Sequence, residues 1–454
     1  MSNVKGFGAA GDGKTDDTEA IRHAIADADG RLQFPRGNYL ISETIEIKLD
    51  EVGRIGIDGD DGTATIIMAG EGPAFRIIGT HKGTGDPHTV KPNVWERQRM
   101  PTIRNIEITA TNPEADGVEL IATMQAILEG VLIRQVRHGI RLHKRNRNVQ
   151  IQDSHIYHNT GVGVFLDGVN LHQTSICGNH ISYNRLGGIR IERSQIYNLQ
   201  ITGNDIEYNN HREFDAEPEP TAEIYIDTTT EPSAVDEVTI ASNTIQATPS
   251  PGGANIRVLN KRGEGLAPGL WTITGNIIGN QENNVHLTGC YGIVISGNCI
   301  YSCDQHNVLL EDCSLITMTG NSFRRHTHRL YTGVRLVNSQ DCVISGSSFR
   351  DDSEEGQKTG ASLLELNACR RISVQGVQFL DGAPWGLDAV DCREVNVNGC
   401  TFGGDLIRNR GEGAIRFDGK GEKNLISACQ IDGAMKLDEN AGVKVLNSIG
   451  DGVA

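Results

Sequence analysis

The sequence predicts an all-β chain, a single-stranded parallel β-helix (β-solenoid) with an N-terminal capping α-helix, and three observations carry that prediction. The stretches DSHIYHN, GNHISYN and GNDIEYN are copies of one unit, with Ser154, Asn179 and Asn204 in one column 25 residues apart. Apolar residues alternate with polar ones in the short segments between turn signals, and that period of two puts one set inside and the other outside. Glycine is abundant at 54, proline modest at 13 and aromatics only 5% of the chain, a composition of short strands and tight turns rather than helices. A single such rung cannot bury its own apolar face, so the copies must stack.

From the N-terminus, Asp16 with Glu19 predicts a capping box for a helix over roughly residues 17–28, with Ile21, Ala24 and Ile25 on one face. Such a helix covers the open edge of the first rung. The expected organisation is a capping segment over residues 1–48 and one continuous parallel β-helix with loop insertions over residues 49–454. Rungs are legible from about Pro101 onward, and Asn179, Asn204, Asn243, Asn276, Asn298 and Asn321 recur at one turn. Asparagine tolerates left-handed backbone and can bond from rung to rung. Of ten cysteines, Cys290, Cys313, Cys369 and Cys392 read as one column and Cys177, Cys299, Cys400 and Cys429 as another, so stacked core thiols are expected rather than disulfides or zinc ligands.

The opening VKGFGAAGDGKTDDTEAIRHAIADA followed by LQFPRGNYLIS resembles the start of the pectate-lyase-like family of single-stranded right-handed parallel β-helices, which includes polysaccharide lyases, glycoside hydrolases and tailspike-like relatives. The resemblance implies the right hand of the helix, a polysaccharide or oligosaccharide substrate, a location often outside the cell and, in many members, a homotrimer. It implies no reaction, because sites are grafted on folds. The NTDG, GHG and RIK strings of polygalacturonase-like members are absent, and no lyase motif carries over residue by residue.

Chemistry is sought in the outward columns of the strand that follows each turn. One column reads Arg141, Phe165, Arg190, Tyr225, Arg257, His286, and the other reads His143, Asp167, Glu192, Asp227, Leu259, Thr288. Asp167, Glu192 and Asp227 are thus expected on consecutive rungs about 4.8 Å apart, close enough for like charge to raise a carboxyl pKa as a general acid requires. Adjacent rungs suit a nucleophile and an acid, and alternate rungs leave room for a water. These three are the expected catalytic residues, with Glu192 able to pair either way. Arg141, Phe165, Arg190, Asp205, Glu207, Tyr225, Arg257 and His286 are the expected substrate-binding residues, Phe165 by stacking on a sugar ring. Glycoside hydrolysis is preferred by a narrow margin. The alternatives are β-elimination on a uronic-acid glycan using Tyr225, Tyr208, His180 and Arg190, and a non-catalytic glycan-binding module. The basic runs RQVRHGIRLHKRNR and RRHTHR are further candidates to meet sugar carboxylates, and His211, Arg212 and Glu213 in the insertion after Asn209 are candidates to reach over the sheet.

Other classes are disfavoured. A formal charge of -16 and a pI near 5.3 lack the basic footprint of a nucleic-acid binder. No apolar run reaches the roughly 18 residues of a membrane span, and the start has no signal-peptide core, so no membrane partner is expected and the compartment is left open, secreted or periplasmic with a removed signal included. GAAGDG lacks a dinucleotide or P-loop context, GDGKTDD misses the EF-hand pattern, and His155, His158, His172 and His180 are expected on different faces, so no metal or cofactor is expected.

Overall fold

The structure, a computed structural model, describes residues 2–27, 29–210, 221–260, 269–325, 333–352, 360–404 and 412–450. The chain is an all-β parallel β-solenoid. It forms two compact units, residues 1–216 with 223–239, and residues 217–222 with 240–454.

In the first unit a rung visits three faces. The first and second faces are carried by long strands such as Ile140–Gln152 and Val164–Cys177, or by separate ones such as Ile189–Glu192 and Gln195–Thr202. The third face is built from short strands, including Leu132–Arg134, His155–Tyr157, His180–Ser182 and Asp205–Glu207. Pairing is parallel and in step, for example Leu142 to Leu166, Leu166 to Ile191 and Ile191 to Ile226 on the first face. Those four side chains are 0% exposed. Each such burial contributes about 1.5–3 kcal/mol, and it holds the strands in the one register that keeps every apolar residue inside.

The N-terminal helix spans Thr18–Ala26, with Ile21, Ala24 and Ile25 buried as their spacing predicts. The capping box does not form. Asp16 accepts from the Thr18 N–H and hydroxyl, Asp17 accepts from the Ala10 and Gly11 N–H groups, and Glu19 turns outward to Arg22. Ala28, the expected last residue, lies outside the described residues.

The turn asparagines do bond from rung to rung. Within the first unit Asn179 Nδ2 donates to Asn204 Oδ1 at 3.0 Å, and within the second Asn243, Asn276, Asn298 and Asn321 are linked in series at 3.0 Å. Their left-handed neighbours are the preceding residues, glycines such as Gly178 and Gly203 at φ 68° and 66° and, before Asn243, Ser242 at φ 57°, and not the asparagines themselves. A second ladder, Asn159 to Asn184 to Asn209, runs through the last residue of the three repeated stretches and ends on the buried carboxyl of Glu223.

All ten cysteines are free, as expected, but only part of their column assignment holds. Cys400 and Cys429 are buried and donate to backbone carbonyls, as do Cys313, Cys369 and Cys392. Cys177 and Cys299 are half-buried. Cys177 stands two residues before the ladder asparagine and Cys299 one residue after it, so neither shares the position of Cys400 and Cys429.

Asn184→Ala leaves the Asn159 amide and the Ile156 carbonyl without their partner, at about 1–3 kcal/mol for each group left buried and unpaired. Its melting temperature is expected to fall clearly below that of the wild type, while exposed His155→Gln melts unchanged; an undisplaced Asn184→Ala melt would contradict the ladder's role.

Candidate functional site

The parallel register of the first unit assembles two outward columns on its first face. One runs Glu46, Arg76, Glu119, Arg141, Phe165, Arg190, Tyr225, and the other includes His143, Asp167, Glu192 and Asp227. The three expected carboxylates therefore do stand on consecutive rungs. Glu46, Arg76 and Glu119 extend the first column with alternating charge. The columns legible in the repeats begin three rungs later, at Arg141, and so leave these three out.

Arginines cage the carboxylates. Asp167 accepts from Arg141 Nη2 at 2.6 Å and from Arg193, and Arg193 also reaches Glu192 at 3.1 Å. Arg190 Nε donates to Glu192 at 2.7 Å, and its guanidinium lies 4.8 Å from the Tyr225 ring centre. Tyr225 Oη stands 3.4 Å from Asp227, which also accepts from the Thr229 N–H and hydroxyl at 2.8 and 2.6 Å. Burial works against the charge on Asp167, but the hydrogen bonds from Arg193 and Arg141 outweigh it and hold the carboxyl below its ordinary value. The expected upward push from like charge does not appear at this residue, because its nearest charges are cations.

Phe165 is 9% exposed, with the His138 ring 5.2 Å away, so its face is covered and does not offer a platform for a sugar. His143, absent from the expected site, heads the carboxylate column. Its Nδ1 is 2.8 Å from the Asp167 carbonyl oxygen. A carbonyl only accepts, so Nδ1 carries the hydrogen and Nε2 of the neutral ring keeps its lone pair. The signal was in the sequence, since His143 opens the column that the carboxylates continue.

On the third face His155, His180 and Asp205 share one column, with the two imidazoles stacked at 5.7 Å; the expectation that they lie on different faces is corrected by this register. His180 is 3.4 Å from Asp205 and 3.9 Å from Glu207. The ligand atoms of these three lie within 4.8 Å of one another, close enough to hold a divalent cation. Asp205 is raised above its ordinary value, chiefly by burial and then by Glu207. Tyr183 and Tyr208 stack at 5.5 Å on the turn that follows.

Arg257 and His286 belong to the second unit. There Arg257 bonds the Thr288 hydroxyl at 3.1 Å, and His286 pairs with Glu311 at 2.8 Å, its pKa lowered first by burial and then by Arg257. That unit also has a hollow of about 580 Å³ lined by residues including Arg370, Arg393, Lys420 and Glu422, far in sequence from the carboxylate column. Of the basic run near Arg324, Arg324 pairs with Asp352 with 47% of its side chain exposed, and Arg325 is buried against Asp351 at 2.7 Å and does not face a ligand; residues 326–329 lie outside the described residues. His211, Arg212 and Glu213 lie outside them too.

Comparison with known proteins agrees with this architecture. Residues 1–217 match the family described as rhamnogalacturonase A/epimerase, pectate lyase-like, and residues 221–358 and 268–450 match the right-handed beta helix region. A non-secreted LysM effector, LysM19, of Penicillium expansum is 34% identical over 128 residues, and alginate lyase 7 of Azotobacter vinelandii is 30% identical over 178 residues. Those alignments cover 25% and 36% of this chain but only 10% and 20% of the two relatives. Among solved structures, tailspike protein 3 of bacteriophage CBA120 is similar with a TM-score of 0.51 at 14% identity, covering 100% of this chain and 62% of that one.

Glu223, which closes the second asparagine ladder, carries the clearest pH signature of this unit. Burial raises its carboxyl from 4.5 to about 8. Between those values the folded chain holds a proton that the unfolded chain has lost, so the stabilising contribution is complete below about 4.5 and is lost as pH rises to about 8. The melting temperature is expected to drop between about pH 5 and pH 8 by more in the wild type than in Glu223→Gln; equal slopes would contradict the assignment.

Proposed function

Because this chain belongs to the right-handed beta helix proteins and its residues 1–217 match the pectate lyase-like family, we propose that it is a polysaccharide-acting enzyme whose glycan lies along the outward columns of the first unit and is cleaved by β-elimination. The observation that carries this reading is His143. Its ring is fixed with Nε2 as the proton acceptor, and it stands beside Arg141 and above the carboxylate column.

β-Elimination on a uronic-acid residue needs a base, a cation for the sugar carboxylate and a proton for the leaving oxygen. His143 Nε2 takes the proton at C5, the C–H electrons form the C4–C5 double bond, and the C4–O bond breaks with its electrons on the departing oxygen. Solvent water supplies the proton to that oxygen, since Tyr225 stands three rungs, about 14 Å, from His143, and Arg193, with 51% of its side chain exposed, meets the carboxylate. Alginate lyase 7, the relative at 30% identity, is named for action on an acidic glycan, which supports this class.

Hydrolysis remains the second reading. It rests on Asp167, Glu192 and Asp227 standing on consecutive rungs, with adjacent ones about 5 Å apart, the separation of a nucleophile and an acid. Against it stands the pairing of Asp167 with Arg193 and Arg141, which favours its charged carboxylate where a general acid needs a proton.

A screen of uronic-acid and neutral polysaccharides, read by ultraviolet absorbance and reducing ends together, separates the two. An absorbing product is expected, with kcat lowered about 10²- to 10⁴-fold in His143→Gln and KM little changed. Reducing ends without absorbance, lost in Glu192→Gln and kept in His143→Gln, would establish hydrolysis instead, and glycan binding without product would leave a binding module.

A further inference from the structure

The run Arg134 to Arg147 contains five arginines, and the structure divides them into two groups. Arg134 pairs with Glu107, Arg137 with Asp116 and Glu114, and Arg141 with Asp167. Arg145 and Arg147 have no carboxylate partner among the described residues. They lie on the bend of strand Ile140–Gln152 where it leaves the first face, opposite Asn170 and His172 of strand Val164–Cys177.

A loop folds over that bend. Its base is pinned by hydrogen bonds between Thr80 and Gln98 at 2.8 Å and by His81 N–H donating to the Ala122 carbonyl at 3.0 Å, and Val90 and Val94 pack with Met124 beneath it. Gly85 lies so near His172 that a Cβ there would stand 2.6 Å from the imidazole Nδ1. The loop leaves His81 1% exposed and Arg147 6% exposed. Arg147 donates to the Thr84 carbonyl at 2.9 Å and to Asn148 Oδ1 at 3.0 Å, and Arg145 bonds Asn170; all of these acceptors are neutral.

Two donors inside this cover are unmet. Arg145 Nε donates to His81 Nε2 at 3.4 Å, so Nε2 is the bare nitrogen of the ring and Nδ1 bears the hydrogen. Among the described residues that Nδ1 has no hydrogen-bond partner, and neither does Arg145 Nη2, which lies on the same edge of the guanidinium as Nε. A native fold rarely leaves buried donors unmatched. Desolvation, followed by the charges of Arg145, Arg147 and His172, lowers His81 to about 4, and His172 is lowered by burial and by the same two arginines. Glu237 is the one acid acting on His172, and it opposes that shift. In a chain of net charge -16 this is a cluster of buried and half-buried cationic and imidazole groups whose arginines have no carboxylate partner among the described residues.

We propose that Arg145, Arg147, His81 and His172 form an oxyanion-binding site, separate from the carboxylate column, that takes a carboxylate, sulfate or phosphate group. Such a group accepts from the two unmet donors and offsets two guanidinium charges at once. The proposal rests on no assignment of the reaction at His143, so either can fail alone.

The test is calorimetric titration of the full chain with sulfate, phosphate and glucuronate, at ionic strength held constant with chloride. Saturable one-site sulfate binding is expected, weakened about tenfold or more in Arg145→Gln and in Arg147→Gln and unchanged in Arg22→Gln, whose arginine sits on the N-terminal helix. Glucuronate competing with sulfate assigns the anion to a sugar acid, and sulfate or phosphate binding without glucuronate assigns it to a free inorganic ion. Saturable binding of none of the three, or binding undiminished in both variants, overturns the proposal. Should the arginine variants misfold, the ring signals of His81 and His172 in the wild type decide: they shift as sulfate is added, and fixed signals overturn the site.

Discussion

Everything in this molecule depends on how the buried amide groups of its turns are satisfied. An asparagine in a dry turn must find partners for two donors and an acceptor, and only the neighbouring rungs supply them. Asn184 meets this by donating to the Ile156 carbonyl on one side and to Asn209 on the other. One rung therefore cannot slip along the next without unpairing an entire ladder. A slip of one residue would also turn Leu166 and Ile191 out and Asp167 and Glu192 in. Register, and with it every outward column, is fixed by that pair of constraints.

Fixed columns are also what give the surface its chemistry. Side chains 25 residues apart in sequence become neighbours at the rung spacing, so a run of substitutions in one column writes a line of functional groups. Here the line alternates. Glu46, Arg76, Glu119 and Arg141 carry opposite signs in turn, and Asp167 and Glu192 share Arg193. This arrangement sets a guanidinium between closely spaced carboxylates. His143 stands at the head of the same column, with its Nδ1 donating to the Asp167 carbonyl.

Much of this was legible in the sequence, and the reason lies in periodicity. The fold, the inward isoleucines and the neighbours of Asp167, Glu192 and Asp227 follow from period two and the 25-residue step. So does the first asparagine ladder, whereas the second, ending at Glu223, was printed in the same repeats as Asn159, Asn184 and Asn209 and passed over. What periodicity does not encode is direction within a column. It places Arg141 and Asp167 on adjacent rungs but not the reach of Arg193 from the turn, the covering of Phe165 by His138, or the tautomer of His143. Nor does it show that the loop over residues 79–98 returns to bury His81 beside Arg145, because that contact joins residues 64 apart that share no repeat.

The proposed reaction turns on His143 removing a carbon-bound proton from a glycan held along the first face. Proton NMR of the product formed from an active uronic-acid polysaccharide tests it most directly. An olefinic C4 proton and loss of the C5 proton at the new non-reducing end are expected. A saturated new end that retains its C5 proton would contradict it and return the reaction to the carboxylates.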